Sequence, residues 1–366
     1  MKKQGITAAD RIAQKAYEIS SEGVRSQDVV YMAAPLCHAF FPYSNPGPDV
    51  DFWQQSHGNF HLTIEATSEI NPETRQREKF GLPYGPKPRL MLAFLNTVIL
   101  KQKSPEISVG NSLTEFIGNH LKMSTDGRTI NEVKNQLARL STSLIKATYE
   151  LEPGHTMRDQ MSLIRGIDVW WHKNSDQRHL WGNFLRFSDD YFNEVMAHGV
   201  PLDSRALSGI SGNALALDVY CFLAHRLHNI PDGRPLNVSW KAIKDQIGQT
   251  YARMDKFKQK FRYTLQLVRG VYPDAKIEEV PNRGFILRHS KPPIPAKTSI
   301  IIPGLPTTEQ GRPLIATTDQ PFNELYLKKD PHEMSPRKAD QIVRTAEGKW
   351  DGQQNNRYKD VTKRKK

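Results

Sequence analysis

The chain has 366 residues and carries 51 lysines and arginines against 39 aspartates and glutamates, which gives a formal net charge of +12 at pH 7. That length allows two domains of ordinary size, and the positive charge favours a polyanionic partner, nucleic acid before an anionic membrane. No run approaches the roughly 18 apolar residues that a membrane span requires, and the N-terminus lacks the apolar segment of a signal peptide, so we expect a cytoplasmic protein without a membrane anchor.

The N-terminal part of the chain predicts one helix and one strand. A weak amphipathic pattern over residues 1–25 indicates a short helix, which we place on an N-terminal arm of residues 1–28. Residues 35–48 contain four prolines, and proline interrupts helices and sheet ladders alike. Residues 60–66 alternate apolar and polar side chains, which predicts a half-buried strand.

The next part of the chain predicts one structural unit. Its elements, in order, are a buried helix (89–102), a strand (106–110), a helix (111–121), a second helix (129–145) and two hairpin strands (144–151 and 162–171). Ser112 and Glu115 have the spacing of a capping box, which closes a helix N-terminus. Pro153 and Gly154 lie in the polar loop between the two hairpin strands. Helix, strand, helix, helix and hairpin is the order of a winged-helix unit.

The same order of elements then recurs in the second half of the chain. The predicted elements are a mostly apolar helix (213–230), a strand (237–240), a short helix (241–248), a longer helix (254–272) and a hairpin with a four-residue turn (275–290). We therefore predict an α+β fold with two tandem winged-helix domains, over residues 29–188 and 189–294. Residues 295–366 are rich in polar residues and poor in large apolar ones, which predicts a basic, disordered C-terminal tail.

The helix predicted over residues 254–272 has one apolar face and one polar face. Five apolar or small side chains fall within a sector of about 100°, the width of a core-facing stripe: Phe257, Phe261, Thr264, Leu265 and Val268. The opposite face carries four side chains that can bond base edges: Gln259, Arg262, Tyr263 and Gln266. Four cations surround this face, on its flank, before the helix and at the tip of the hairpin: Lys256, Lys260, Arg253 and Arg283.

This polar face predicts a contact with double-stranded DNA, and the alternative is a solvated surface helix. Residues 240–291 hold twelve basic and five acidic residues, a local net charge of +7. We predict base readout by the four side chains of the face and phosphate contacts by the four cations around it. In the first unit, the helix over residues 129–145 has a milder outer face. Lys134 and Arg139 are the candidate phosphate contacts there, and a protein interface is the alternative.

Several patterns argue against metal, cofactor or catalytic chemistry. Cys221, His225 and His228 share one helical face, but that helix is otherwise apolar and lacks an evident fourth ligand, so we expect a buried, reduced cysteine, partly buried histidines and no metal. His57 and His61 are separated by three residues rather than the one of rolling-circle nicking enzymes. No phosphate-binding loop of the GxxxxGK[ST] type occurs. We expect a protein that is not an enzyme and uses no cofactor.

Three motifs, occurring in order, resemble the plasmid-encoded RepA replication initiators of bacteria. They are PYG-x-x-x-R-L at residues 83–90, LDVY-x-x-LA-x-RLH at residues 217–228 and SW-x-x-I at residues 239–243. The likeness covers roughly residues 29–294. Within these motifs we expect Tyr84, Gly85 and Trp240 to be structural, because glycine permits tight turns and tryptophan beside a short strand usually anchors a core.

The resemblance implies a protein that recognises repeated origin sequences, or iterons. It implies two winged-helix domains, opening of the origin, recruitment of host initiation proteins and helicase, and a part in plasmid copy control. A homodimer is a possible form. Two rival functions stay open: a winged-helix transcriptional regulator acting at its own promoter, and a DNA-nicking rolling-circle initiator.

Overall fold

The computed structural model describes residues 7–38, 40–57, 60–70, 75–108, 113–121, 123–152, 155–162, 164–168 and 184–295. Helices and strands are interleaved along the chain, so the predicted α+β class is confirmed. Ser112 of the predicted capping box and the predicted tail after residue 295 lie outside the described residues. No helix in the described ranges is both long and apolar enough to cross a membrane.

The first half of the chain contains four helices and ten strands in its described part. They are α1 (Ala8–Ser21), β1 (Val29–Ala33), β2 (Phe52–His57), β3 (Phe60–Ala66), β4 (Ser68–Ile70), β5 (Arg77–Lys79), α2 (Pro86–Gln102), β6 (Glu106–Ser108), α3 (Leu113–Glu115), α4 (Gly127–Ser141), β7 (Ser143–Glu152), β8 (His155–Ser162), β9 (Ile164–Asp168) and β10 (Phe184–Phe187). A π-helical turn, Phe116–His120, continues α3. The predicted strand over residues 60–66 is confirmed as β3. The predicted central helix starts earlier, at Pro86, because proline is well tolerated in the first helical turn.

The second half contains the elements predicted for it, in the predicted order. The described elements are α5 (Asp189–His198), β11 (Gly199–Asp203), α6 (Ser204–Gly209), α7 (Ala214–Arg226), β12 (Leu236–Ser239), α8 (Trp240–Ile247), α9 (Met254–Val271), β13 (Ile277–Val280) and β14 (Gly284–Leu287). Ser239 caps α8, its side chain accepting a hydrogen bond from the Ala242 amide. The predicted apolar helix, short strand, two helices and hairpin correspond to α7, β12, α8, α9 and the pair β13 and β14.

In the hairpin predicted for the first half of the chain, the first strand pairs with a different strand in the structure. β7 pairs antiparallel with β8, which consists of predicted loop residues up to its last residue, Ser162, and both belong to the sheet β2-β3-β7-β8. The strand predicted over residues 162–171 appears as β9, which pairs instead with β10. The predicted pairing was wrong because both edges of β7 are occupied, one by β8 and the other by β3, whose Glu65 pairs with Leu144 from 79 positions earlier in the chain. Such a long-range partner leaves no trace in a local hydrophobic pattern.

Two three-stranded sheets share one topology. In the sheet β6-β10-β9 and in the sheet β12-β14-β13, the last strand lies between the first and the second. Two helical elements separate the first strand from the second in each case, α3 with α4 and α8 with α9. The first arrangement also contains the insertion of β7 and β8. The sequence predicted that one order of elements occurs twice. The two sheets, which share a strand order, lie in these two parts of the chain.

The first helix packs on the body of the protein. α1 contacts α6 and α9, with Ile12 beside Gly270 and Lys15 beside Gly209. The buried Arg205 donates to the carbonyl of Glu22 just after α1 ends. α1 therefore lies against the C-terminal half of α9 instead of extending freely.

The hairpin of β13 and β14 depends on a glycine where it meets β12. Gly284 has φ +155°, and a Cβ at this position would lie 2.0 Å from the carbonyl oxygen of Val238. We predict that Gly284→Ala lowers the free energy of unfolding by more than the roughly 1–3 kcal/mol of backbone strain alone, because the Cβ also collides with the Val238 carbonyl. Chemical denaturation would measure the loss. Gly233→Ala is the control, because Gly233 has φ +76° but no atom within 4 Å of an added Cβ, and this variant should lose less stability. Equal losses in the two variants would show that the collision with Val238 is not the cause.

Candidate nucleic-acid interface

The two faces of α9 are oriented as predicted. The five side chains of the predicted stripe are buried: Phe257, Phe261, Thr264, Leu265 and Val268. The four side chains proposed for base contacts and the flanking lysines are exposed: Gln259, Arg262, Tyr263, Gln266, Lys256 and Lys260. The helical phase inferred from the sequence is confirmed, and the polar side chains face solvent.

Trp240, the first residue of α8, joins the elements behind this face. Its side chain is 3% exposed. It packs edge-on against Phe257, Phe261 and Phe285, at ring-centroid distances of 6.3, 5.8 and 4.8 Å. Edge-to-face packing of this kind is the favourable geometry for aromatic pairs. The structural role predicted for Trp240 is confirmed, and its ring connects α8, α9 and β14.

Two cations lie over the Trp240 ring, and the tip of the hairpin lies beside its backbone. The Lys258 Nζ and the Arg262 guanidinium carbon lie 5.4 and 5.1 Å from the indole centroid, within the range of a cation–π contact. The Arg283 carbonyl accepts a hydrogen bond of 3.0 Å from the Trp240 amide, which places the hairpin tip beside the start of α8. Arg283 itself is exposed. The basic surface of α9 therefore continues onto the hairpin.

The cations of this surface differ in whether a carboxylate neutralises them. Arg262 makes a bidentate ion pair with Glu279 on β13, and Arg253 makes one with Asp255. The Glu279 hydrogen bond raises the pKa of Arg262. Lys256 and Lys260 are exposed, and among the described residues no carboxylate forms an ion pair with either.

Lys260 has a different neighbour on the same helix. Its Nζ lies 5.4 Å from the ring centroid of Tyr263, which is 50% exposed. A cation and an aromatic ring therefore stand together on the outer surface of α9. Both groups are available to a polyanion, the ammonium for phosphate and the ring for stacking or apolar contact.

In the first half of the chain, part of the outer surface of α4 is covered. Arg139 donates to the carbonyl of Leu82 at 2.9 Å, and its guanidinium lies 5.1 Å from the Tyr84 ring centroid. Burial lowers the pKa of Arg139. Gln136 is buried and accepts a hydrogen bond from the Tyr84 amide. Arg139 thus has an intramolecular role, whereas Lys134 is half-buried on the same helix.

The first two sequence motifs meet in a buried ion pair that the sequence did not predict. Arg89 donates to both carboxylate oxygens of Asp218, at 2.6 and 2.7 Å, although 129 residues separate them. It also donates to the carbonyls of Gly85 and Phe41, both at 2.6 Å. Burial alone would lower the pKa of Arg89, but the contacts with Asp218 outweigh it and raise the pKa. One signal was visible: Asp218 is the single acid in an apolar helix.

Cys221 and His225 of α7 are packed in the interior, and His228, just after the helix, is half-buried. Cys221 and His225 are buried, and the His225 ring lies edge-on to His38 with 4.6 Å between centroids. Burial lowers the pKa of His225 to about 4, so its ring is neutral at pH 7. His228 Nδ1 lies 2.9 Å from the Ala224 carbonyl. Within the described ranges, no group of three His, Cys, Asp or Glu side chains could hold a metal ion.

Part of the chain matches a known protein family. Residues 82–242 match the family described as plasmid encoded RepA protein. The match contains the first two motifs and the Ser239–Trp240 pair of the third, so the resemblance seen in the sequence is confirmed over this range. No curated protein matches the chain.

Two solved structures are similar to the chain in part. The crystal structure of domains 2 and 3 of RctB, as selenomethionine derivatives, has a TM-score of 0.40 at 11% identity and covers 68% of this chain and 88% of that one. A second structure of RctB domains 2-3 has a TM-score of 0.38 at 8% identity and covers 67% of this chain and 92% of that one.

Proposed function

Taking the match of residues 82–242 to plasmid-encoded RepA proteins as the premise, we propose that this chain is a plasmid replication initiator that binds repeated double-stranded DNA sequences at the origin. The observation that carries the DNA-binding part is the exposed basic face of α9, continued by the hairpin beyond it. In this proposal, residues 236–288 are a winged-helix unit whose recognition helix is α9.

The recognition helix uses its outer face in the major groove. Gln259, Tyr263 and Gln266 are exposed side chains with groups suited to base edges. Arg253, Lys256 and Lys260 contact phosphates, and Arg283 brings the hairpin tip to the adjacent backbone. Because the helix, α8 and the hairpin share the Trp240 anchor, these groups meet the duplex as one rigid surface.

The first half of the chain forms a second winged-helix unit in this proposal, with β9 and β10 as its hairpin and β7 and β8 as an insertion. Its helix α4 has fewer side chains available for DNA contacts, because Arg139 already contacts Leu82 and Tyr84. Lys134 supplies a phosphate contact. The remainder of this face serves either the duplex or a protein partner.

The remaining steps follow from the family. The proposed initiator opens an adjacent AT-rich region, recruits host initiation proteins and helicase, and limits plasmid copy number by its own occupancy of the repeats. It acts in the bacterial cytoplasm, without catalysis and without a cofactor, and a homodimer is one of its proposed forms. The basic tail adds affinity that does not depend on sequence.

A footprint of the purified chain on the non-coding DNA of its replicon tests this function. The reaction is run near physiological salt with excess competitor DNA, because affinities at low salt exaggerate non-specific binding. A ladder of protected repeats beside an AT-rich segment supports the initiator. Absence of any protected site overturns the proposal.

The rival functions give different results. A regulator acting at its own promoter protects a single site upstream of a gene, and supplying the chain does not allow an origin plasmid to replicate. A nicking initiator leaves a covalent tyrosine adduct on supercoiled DNA in the presence of a divalent metal. The proposed initiator supports replication of the origin plasmid and leaves no adduct.

The unpaired lysines predict a charge effect on binding. The double variant Lys256→Ala, Lys260→Ala should weaken binding to all duplexes alike, because phosphate contacts are independent of sequence. The slope of log K against log salt should become shallower by about 1 for each lysine. Titrations at several salt concentrations measure the slope. Lys241→Ala, which removes a lysine already paired with Asp245 on α8, is the control and should change it less.

A further inference from the structure

Arg262 is the cation on the outer face of α9 whose position is most constrained. Its Nε lies 2.9 Å from Glu279 Oε1 and its Nη2 lies 2.7 Å from the same oxygen, with a further contact of 3.1 Å from Nε to Oε2. One face of the guanidinium covers the Trp240 ring. The Glu279 carboxylate and the Trp240 ring therefore restrict the rotamers of Arg262, a long side chain that rotates freely when it has no such contacts.

This arrangement occupies one edge of the guanidinium and leaves another available. Glu279 engages the edge formed by Nε and Nη2, and no hydrogen bond from Nη1 forms within the described residues. Arginine has five N–H donors in a planar fork, so Nη1 and the second hydrogen of Nη2 can still donate in parallel. That pair of donors matches guanine O6 and N7, or a phosphate. Arg262 is 47% exposed and can reach such a ligand.

We propose that Glu279 is a positioning residue that fixes the free edge of Arg262 for the readout of a guanine in the DNA site. The inference rests on the proposed function. Ordering a long side chain on binding costs free energy, and Glu279 together with Trp240 imposes that order in the unbound protein. Glu279 thereby raises selectivity although it is an acid facing a polyanion.

The neighbouring residue on β13 provides a matched control. Glu278 pairs with Arg288 of the hairpin through a single contact of 3.2 Å, away from α9. Glu279→Gln and Glu278→Gln remove the same charge, one residue apart, from strand positions that point to opposite faces. Their effect on long-range electrostatics is therefore similar, and only Glu279→Gln removes the carboxylate that holds Arg262.

The experiment measures binding of the full chain to the footprinted DNA site and to a panel of duplexes, each with one base pair substituted. We expect Glu279→Gln to lose on the order of tenfold in preference at one G·C pair, the scale of one bidentate base contact. Arg262→Ala should lose preference at the same pair. The double variant should lose no more than Arg262→Ala alone, because the two residues act as one unit. Glu278→Gln should keep the wild-type profile.

Two outcomes count against the proposal and they are distinguishable. If Glu279→Gln and Glu278→Gln both strengthen binding to every duplex equally and keep the profile, Glu279 is only a repulsive charge and the positioning role is overturned. If the wild-type chain itself shows no preference across the panel, the proposed function fails and this inference fails with it. Matching thermal unfolding of the variants and the wild type shows that the fold is intact in each case.

Discussion

Arg89→Ala is expected to lower the free energy of unfolding by about 3–5 kcal/mol, because removing one partner of a buried ion pair leaves the other charge buried and uncompensated. Both side chains are about 95% buried, and Asp218 would lose two short hydrogen bonds. The carbonyls of Gly85 and Phe41 would lose a donor as well. The midpoint of urea denaturation, at constant slope, measures the loss.

Two control variants separate the buried charge from other causes. Arg89→Met combined with Asp218→Leu should recover part of the lost stability, since apolar side chains of similar size often replace a buried pair without cost. Arg288→Ala breaks the exposed pair with Glu278 and should leave the midpoint nearly unchanged. A midpoint for Arg89→Ala as high as that of the wild type would show that the pair does not stabilise the protein.

Phe261→Ala is expected to cost roughly 3–5 kcal/mol, the range for truncating a buried phenylalanine to alanine. Its ring is 6% exposed and contacts Trp240, Phe257 and Phe285, so truncation leaves a cavity among three rings that cannot easily close. Because these rings support α9, the variant should also lose selective DNA binding. Urea denaturation followed by tryptophan fluorescence reports the change.

The same helix offers the matched control for this variant. Tyr263 is two residues further on and points outward, with half of its surface exposed. Tyr263→Ala should leave the unfolding midpoint near that of the wild type and should weaken DNA binding if the ring contacts the duplex. A large loss of stability in Tyr263→Ala, or none in Phe261→Ala, would contradict the assignment of the two faces.

The family motifs acquire a physical explanation from the buried pair. Arg89 of the first motif and Asp218 of the second join α2 to α7. Arg89 also donates a hydrogen bond to the Phe41 carbonyl. Tyr43, close to that point, donates to the carbonyl of Ile247 at the end of α8. Arg89 and Tyr43 therefore connect the first half of the chain to α7 and to α8, the helix that precedes α9. These contacts place the first two motifs in the packing behind α9.

The sequence was sufficient for features that depend on neighbours along the chain. The phase of α9 follows from the 3.6-residue period of Phe257, Phe261 and Leu265, because residues three and four apart share a helix face. The strand over Phe60–Ala66 follows in the same way from a period of two. The core position of Trp240 and the order of elements in the second half were predicted for the same reason: each depends on local patterns of apolar residues.

Only the tertiary structure decided which distant groups meet. The pairing of β7 with β3, the contact of Arg139 with Leu82 and the ion pair of Arg89 with Asp218 each join segments far apart in sequence. The pair of Arg262 with Glu279 likewise depends on how the hairpin folds back beside α9. A charged side chain looks the same in sequence whether it is free or paired, since its partner is chosen by packing and not by spacing. The sequence thus determined which face of α9 is polar, and the fold determined which of its cations are free to bind.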